Sequence, residues 1–272
     1  MTEVRELSIN QWLDNILAKG VYGFAKEALH QDIPNYSDIA IKRALSRLST
    51  KGKIVSLYKG YYLLVPPQYA SKGILPPALY LDAFMKHLKR PYYVALLNAA
   101  AFHGASHQQP QEYFLMTGFP VLRPTQKKGL KVNYISIKEI PESLIEKRKT
   151  EAGYLNVSNA VLTACDLVQF EKRVGGLNRA ATVLNELVEV IKPSDFTIAL
   201  LKNTPVTALQ RLGFLLENAC LNTQLANALF EAIKGEEISL FRTPLKTAKE
   251  SKGFSSDNRW KVVVNTEIEI DE

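Results

Sequence analysis

The stretch from Tyr36 to Val65 constrains the fold more than any other part of the chain. Its first half carries apolar residues at i, i+3, i+4 and i+7, the period of one buried stripe on a helix: Ile41, Ala44, Leu45 and Leu48. Its second half contains two β-prone runs, Ile54–Leu57 and Tyr61–Val65, around a turn at Tyr58-Lys59-Gly60. The pattern predicts a helix followed by a two-stranded hairpin.

Both ends of this predicted helix have local signals. Ser37 or Asn35 can cap the start, because a short side-chain oxygen accepts a backbone N–H that otherwise has no partner. Gly52 is a natural stop, since glycine tolerates the left-handed backbone conformation that ends many helices.

The cations of this stretch are predicted to point away from the apolar stripe. Each residue turns a helix by about 100°, so Arg43 lies about 200° and Arg47 about 240° from Ile41. Between Ser37 and Gly60 there are six Lys or Arg and one acid, a local balance of +5 in a chain whose net charge is +7. Arginine can pair with guanine edges and lysine can neutralise phosphates, so this face suits a nucleic acid.

Two interpretations follow for this stretch. The first is the DNA-binding end of a winged helix-turn-helix, because helices predicted at Ser8–Ala18 and Tyr22–Leu29 and a turn at Gln31–Asn35 precede it in the expected order. The second is an ordinary amphipathic helix and hairpin with a solvated basic face. Under the first interpretation, the DNA-binding residues are Tyr36, Ser37, Lys42, Arg43, Ser46, Arg47, Lys51 and Lys59.

A chain of 272 residues predicts about two domains. We expect an α+β protein with a winged helix-turn-helix domain at 1–65, a proline-rich linker at 66–77 and a larger mixed α/β domain at 78–272. In the second domain the patterns predict early helices at Leu79–Leu88 and Tyr92–Phe102, strands at Tyr113–Met116, Leu130–Ile137 and 150–157, a helix capped by Ser158, four further helices, and terminal strands at 238–242 and 260–270.

Composition narrows the class of protein. A hydrophobic fraction of 46% with 22% charged residues is typical of globular domains, and the pI near 9.2 favours an acidic partner. Cys165 and Cys220 fit no metal-binding spacing. No signal peptide is evident, and no apolar run approaches the roughly 20 residues that span a bilayer. We therefore expect a cytoplasmic protein that does not enter the membrane.

Candidate chemistry is sparse. His103 and His107 stand four residues apart, but a zinc site needs at least three protein ligands and no third is placed nearby. No phosphate-binding loop, dinucleotide fingerprint or nucleophile elbow occurs. Asp166 or Glu217 could hold the metal of a nuclease, although no compact cluster of acids and lysine accompanies them. We predict no catalytic residue, no metal and no cofactor.

Two charged segments allow more than one interpretation. Glu267, Glu269 and Asp271 alternate with isoleucines and would share one face of a strand, as a cation or partner site or as a solvated edge. The loop that carries Arg123, Lys127, Lys128 and Lys131 is either solvated or a second contact for nucleic acid or a partner.

With both halves considered, the chain resembles the AbiE-type antitoxin family. The segments that carry the resemblance follow one another along the chain: Lys51-Gly52-Lys53-Ile54 with Lys59-Gly60-Tyr61-Tyr62, then Tyr93 to Ala105, then Thr163-Ala164-Cys165-Asp166-Leu167-Val168 with Gly175-Gly176-Leu177, and then Arg211-Leu212-Gly213-Phe214-Leu215-Leu216-Glu217.

The resemblance implies a non-enzymatic protein with two roles. Its N-terminal domain would bind inverted repeats in its own promoter and repress transcription. Its C-terminal domain would neutralise a cognate nucleotidyltransferase-like toxin, and family members can do so without forming a stable complex. Only the winged-helix positions transfer as site residues. The alternatives are a winged-helix regulator whose second domain senses a small ligand, and the metal-dependent nuclease.

Overall fold

The computed structural model describes residues 7–71, 73, 75–105, 110, 112–127 and 130–270. The helices in this part of the chain are α1 Ile9–Ala18, α2 Lys26–Asp32, α3 Asp38–Thr50, α4 Leu81–His87, α5 Leu96–Phe102, α6 Ala160–Gln169, α7 Leu177–Leu187, α8 Ile198–Asn203, α9 Val206–Asn218 and α10 Thr223–Gly235. The strands are β1 Gly23–Ala25, β2 Ile54–Tyr58, β3 Tyr61–Leu64, β4 Tyr92–Val94, β5 Glu112–Thr117, β6 Thr125–Lys127, β7 Leu130–Ser136, β8 Ile145–Thr150, β9 Gly153–Ser158, β10 Thr243–Pro244 and β11 Val262–Val263.

Helix α3 confirms the helix predicted from the apolar stripe. Ser37 is its N-cap and accepts a hydrogen bond from the backbone N–H of Ala40 at 3.2 Å. Gly52 follows its end with φ +69°, in the left-handed region that glycine tolerates. The four stripe residues are buried and pack in one core with Trp12, Leu13 and Phe24, so the stripe faces inward.

The elements α1, β1, α2, α3, β2 and β3, here called the head, contain an antiparallel sheet of order β1-β3-β2. Three helices with this small sheet are compatible with a winged helix. The helix predicted at Tyr22–Leu29 was wrong at its start, because Gly23–Ala25 forms β1 and pairs with Tyr61–Leu63. The apolar period near α2 carries no sign of this strand, since the pairing depends on residues almost 40 positions away.

The β2–β3 hairpin is buried on both faces. Ile54 and Leu64 belong to the core of the head, whereas Leu57, Tyr61 and Leu63 belong to a second core that includes residues of α4, β4, β5 and β9. The ring of Tyr61 lies 5.2 Å from that of Phe84. The proline-rich segment 66–77 contains the 3₁₀ turn Pro67–Tyr69 and enters a second turn, Pro77–Leu79, and it buries Leu75 in this second core.

Beyond the head, a six-stranded mixed sheet has the order β6-β7-β5-β4-β9-β8. The helix predicted at Tyr92–Phe102 was wrong over its first three residues, which form the inner strand β4. A continuous apolar run is equally typical of a buried strand and a buried helix. Strands β6 and β8 were also not predicted, and they pair with β7 and β9.

Helix α6, whose N-cap is Asn159 rather than the predicted Ser158, is buried over nearly its whole length and packs against α5, α7 and α9. Additional 3₁₀ turns occur at Glu142–Leu144, Glu171–Arg173 and Pro193–Asp195.

Within the part of the chain that the structure describes, every helix is too short or too polar to span a bilayer.

The strand predicted at 238–242 was wrong in place and the strand predicted at 260–270 was wrong in extent. The strands that the structure describes there are Thr243–Pro244 and Val262–Val263, which pair with each other, and Val263 also bridges to Ser256. Side-chain anchors hold the rest of the terminal segment. Trp260 is fully buried, and its indole N–H donates to Glu217 at 2.5 Å. The Asn265 side chain donates to the carbonyls of Lys246 and Lys249.

Gly213 on α9 provides a test of this terminal packing. A Cβ atom at Gly213 would lie 2.1 Å from Cζ3 of Trp260, so Gly213→Ala should lower the free energy of unfolding by about 1–3 kcal/mol through overpacking. Gly235→Ala is the matched control, since a Cβ there meets open space and the change should be neutral or mildly stabilising. Urea unfolding of both variants measures the difference, and equal stabilities would contradict the packing.

Candidate functional site

The outward face of α3 is open to solvent. Ser37, Lys42, Arg43, Ser46, Arg47 and Lys51 are exposed there, and Tyr36 at the helix entry is half-buried. In the described residues, neither Arg43 nor Arg47 forms a salt bridge, so both guanidinium groups are available for a partner. The predicted site residues of the helix therefore share one accessible surface.

A groove runs along α3, with the start of α1 as its opposite wall. One concavity of about 580 Å³ is lined by Ile9, Tyr36, Ala40, Arg43, Ala44, Ser46 and Arg47. An adjoining concavity of about 300 Å³ adds Ser8, Asn10, Leu48, Lys51 and Lys53. The residues that line both parts include arginines and lysines and no acid, so the groove favours an anionic partner.

Asp38, the acid at the start of α3, is surrounded by basic side chains. Its carboxylate lies 2.5 Å from Lys26 Nζ, 2.7 Å from His30 Nε2 and 3.0 Å from Lys42 Nζ. The hydrogen bonds from Lys26, His30 and Lys42, in that order of importance, hold the pKa of Asp38 well below its usual range. Asp38 thereby links α2 to α3 and balances part of the charge of Lys42, one of the predicted DNA-binding residues.

The turn of the β2–β3 hairpin is short and anchored. Lys59 is exposed at the turn, and the carbonyl of Gly60 accepts the backbone N–H of Lys26 at 2.8 Å. Tyr58 is half-exposed, with its ring 5.9 Å from that of Phe84. The hairpin therefore presents Lys59 from a backbone that both α2 and α4 hold in place.

The basic segment 123–127 lies beside this hairpin. Arg123 and Lys127 are exposed, and both line a concavity of about 490 Å³ with Tyr58 and Phe84. Lys131 forms a salt bridge with Glu112 at 3.1 Å, and Lys128 lies outside the described residues. The structure thus brings Arg123 and Lys127 beside Tyr58 of the hairpin, more than 60 positions away, a proximity that no local pattern indicates.

His103 is held by protein partners on both ring nitrogens. Its Nε2 donates to the carbonyl of Ser158 at 2.7 Å, and its Nδ1 accepts from Arg148 Nη2 at 3.0 Å. Burial, partly opposed by the bond to Ser158, lowers the pKa of His103. His107, the other member of the predicted pair, lies outside the described residues.

The carboxylates considered for a nuclease have structural partners. Asp166 is buried and accepts the hydroxyl of Tyr93 at 3.1 Å, while Glu217 accepts from Arg259 and Trp260. Glu267 and Glu269 are exposed but belong to no strand, and Asp271 lies outside the described residues. Within the described part of the chain, no group of three or more His, Cys, Asp or Glu residues could hold a metal ion.

Comparison with protein families gives a match for the middle of the chain. Residues 93–218 match the family model of the AbiEi antitoxin C-terminal domain. The chain contains an AbiEi antitoxin domain. This AbiEi domain runs from β4 to α9, so the segments of the predicted resemblance at 93–105, 163–177 and 211–217 lie inside it. The head and residues 219–272 lie outside the match.

A solved structure extends the fold comparison to the head. The crystal structure of the Rv2827c protein from Mycobacterium tuberculosis matches with a TM-score of 0.69 at 18% sequence identity, covering 93% of this chain and 90% of that chain. At this identity the likeness shows a shared fold. Comparison with curated protein sequences gives no significant match.

Asp166 in the AbiEi domain generates a pH prediction. Burial raises the pKa of Asp166 to about 8, against about 3.9 for an unfolded chain. The folded state then binds more protons, so this group's contribution to stability is greatest below pH 4 and is lost as the pH rises through 8. The free energy of unfolding should therefore fall by at most about 1.4 kcal/mol per pH unit because of this group.

Asp166→Asn should remove this pH dependence, because a carboxamide cannot ionise yet can still accept the Tyr93 hydroxyl. Chemical unfolding at pH 5, 6, 7 and 8 measures the difference in unfolding free energy between the two proteins. We expect the difference to move in favour of the variant as the pH rises. A difference that does not change with pH would contradict the raised pKa.

Proposed function

We propose that this protein is the antitoxin of a toxin–antitoxin pair, binding its own promoter DNA as an autorepressor and neutralising a nucleotidyltransferase-like toxin. The observation that carries the DNA half is the acid-free groove along α3, with Arg43 and Arg47 exposed and without salt bridges in the described chain. The observation that carries the antitoxin half is the AbiEi domain at 93–218.

In this proposal α3 enters the major groove, which is wide enough for one helix. Arg43 and Arg47 contact base edges or phosphates, while Lys42, Lys51 and Lys59 contact phosphates. Tyr36, Ser37 and Ser46 lie at the helix entry and along its outward face. Since arginine can make two hydrogen bonds to one guanine, the arginines supply sequence preference and the lysines supply general affinity.

Arg123 and Lys127 extend the proposed footprint. They are exposed on the same concavity as Tyr58, so a duplex held by α3 and the hairpin would meet them with its backbone. Lys131, already paired with Glu112, would contribute less, and Lys128 belongs to the same predicted contact. Phosphate contacts of this kind raise affinity without selecting sequence.

Binding to inverted repeats requires two copies of the head. Each copy would place its α3 in one half-site, and the half-sites would be one helical turn or a multiple of it apart. The symmetry of the operator then mirrors a twofold relation between the two bound copies.

Neutralisation is assigned to the AbiEi domain. Its helices α6, α7 and α9 pack around a continuous apolar core, so a surface on the domain can be held rigidly whether or not DNA is bound. The toxin partner is proposed as a nucleotidyltransferase-like protein encoded beside this gene, and neutralisation can proceed without a stable complex.

The DNA half is tested by replacing the two arginines. Arg43→Ala should weaken binding to the DNA upstream of the gene by about 1–3 kcal/mol if the side chain contacts a base, and the double change with Arg47→Ala should weaken it further. Mobility-shift titration at fixed salt measures the dissociation constants.

A matched control removes the same charge elsewhere. Arg173 and Arg179 are exposed arginines of the AbiEi domain, and their double alanine variant should bind the upstream DNA like the native protein. Unchanged binding by the Arg43→Ala, Arg47→Ala variant would refute the proposed interface.

The antitoxin half is tested by growth. Induction of the neighbouring nucleotidyltransferase-like gene should arrest growth, and this chain expressed from an unrelated promoter should restore it. The Arg43→Ala, Arg47→Ala variant should restore growth equally well, because the α3 surface belongs to DNA binding. Loss of rescue by that variant at equal protein abundance would contradict the division of roles.

A further inference from the structure

One large apolar side chain stands on the otherwise polar outward face of α3. Ile39 is 64% exposed, whereas the isoleucine two positions later is fully buried. Ile39 is the second residue of the helix, and on a helical wheel it lies about 160° from Ile41. It therefore lies between Ser46 and Arg43, at the centre of the surface that faces away from the core.

The core does not explain the isoleucine at this position. Ile39 belongs to none of the apolar clusters of the described chain, and an isoleucine left in water does not gain the stabilisation that burial would supply. Leu45 and Leu48 show that the stripe already fills the inner side of the helix.

A protein partner is also a poor explanation. Stable protein interfaces bury about 800 Å² on each side, with an apolar centre. The neighbours of Ile39 on this face are Ser37, Lys42, Arg43 and Ser46, which are exposed and polar or charged. An isolated apolar side chain among cations fits a partner that is anionic overall and offers small apolar spots.

Duplex DNA has that chemistry in its major groove. The phosphates carry the negative charge, and the C5-methyl group of thymine is an apolar feature among the base edges. Residues near the N-terminus of a helix in this groove reach base edges most directly. Ile39 is in the first turn of α3, beside the arginines that face the same surface.

We propose that Ile39 is a specificity-determining residue that packs against the methyl group of a thymine in each half-site. This inference rests on the proposed DNA-binding function and deepens it, because it names the base that the apolar side chain selects. Arg43 would hydrogen-bond to a neighbouring base or phosphate, while Ile39 would exclude water from the thymine methyl group.

The test removes the methyl group from the DNA. The fragment upstream of the gene is amplified once with thymidine triphosphate and once with deoxyuridine triphosphate, so the second fragment lacks every thymine methyl group. The native protein should bind the thymine fragment more tightly by about fourfold for each methyl group that Ile39 covers. Mobility-shift titration at one salt concentration measures both dissociation constants.

Protein variants assign the effect to this side chain. Ile39→Ala should bind the two fragments with nearly equal affinity, and Ile39→Val should give an intermediate ratio. Ile198→Ala, which truncates an exposed isoleucine in the first turn of α8, should keep the native ratio and shows what a matched truncation does elsewhere.

The outcomes separate the two levels of the proposal. Equal binding of both fragments by the native protein, or an unchanged ratio in Ile39→Ala, would overturn the role of Ile39 and leave DNA binding intact. Failure of the native protein to bind the thymine fragment in preference to unrelated DNA would overturn the proposed function, and the role of Ile39 with it.

Discussion

The β2–β3 hairpin is the constraint on which the arrangement of the molecule depends, because its two faces are buried in two different cores. Side chains alternate across a strand, so Tyr61 and Leu63 enter the core shared with α4 while Leu64 enters the core of the head. The hairpin therefore packs both inside the head and against α4 and the six-stranded sheet. Leu75 of the proline-rich segment is buried in the same core as Tyr61 and Leu63, so both segments fix the orientation of the head.

This arrangement determines which face of α3 is exposed. The stripe from Ile41 to Leu48 is held inside the head, so the arginines remain outside on a surface that the second domain leaves open. Asp38 adds a local constraint, because a single carboxylate contacts cations from both α2 and α3. The acid that would otherwise oppose an anionic ligand is used to connect two helices, and the groove keeps its positive character.

The polar residues of the AbiEi domain differ in role from those on the exposed face of α3. Asp166, Glu217 and His103 carry groups that can take part in catalysis or metal binding. Asp166 and His103 are hydrogen-bonded within the domain, and Glu217 is hydrogen-bonded to the terminal segment that follows it. These bonds connect α6 to β4, α9 to the terminal segment, and α5 to the end of β9. These hydrogen bonds connect elements of the fold to one another. This agrees with the proposed role of the domain, which is to present a surface to a partner.

The amino-acid sequence by itself determined the features that local periodicity and capping encode. Helix α3, its N-cap at Ser37, its inward stripe and its outward arginines follow from a period of 3.6 residues and a few capping rules, since each depends on residues within one or two turns. The strands Tyr113–Met116 and Leu130–Ile137 were predictable for the same reason, and the ordered segments that resemble AbiE-type antitoxins indicated the family.

Only the tertiary structure decided the features that depend on distant partners. Strand β1 exists because Gly23–Ala25 pairs with β3, and Tyr92–Val94 is a strand because β5 and β9 flank it. The placement of Arg123 and Lys127 beside Tyr58 results from the docking of the hairpin on the second domain. Pairing and docking are set by which surfaces meet after the chain has folded, and an apolar run has the same local pattern whether its partners make it a strand or a helix.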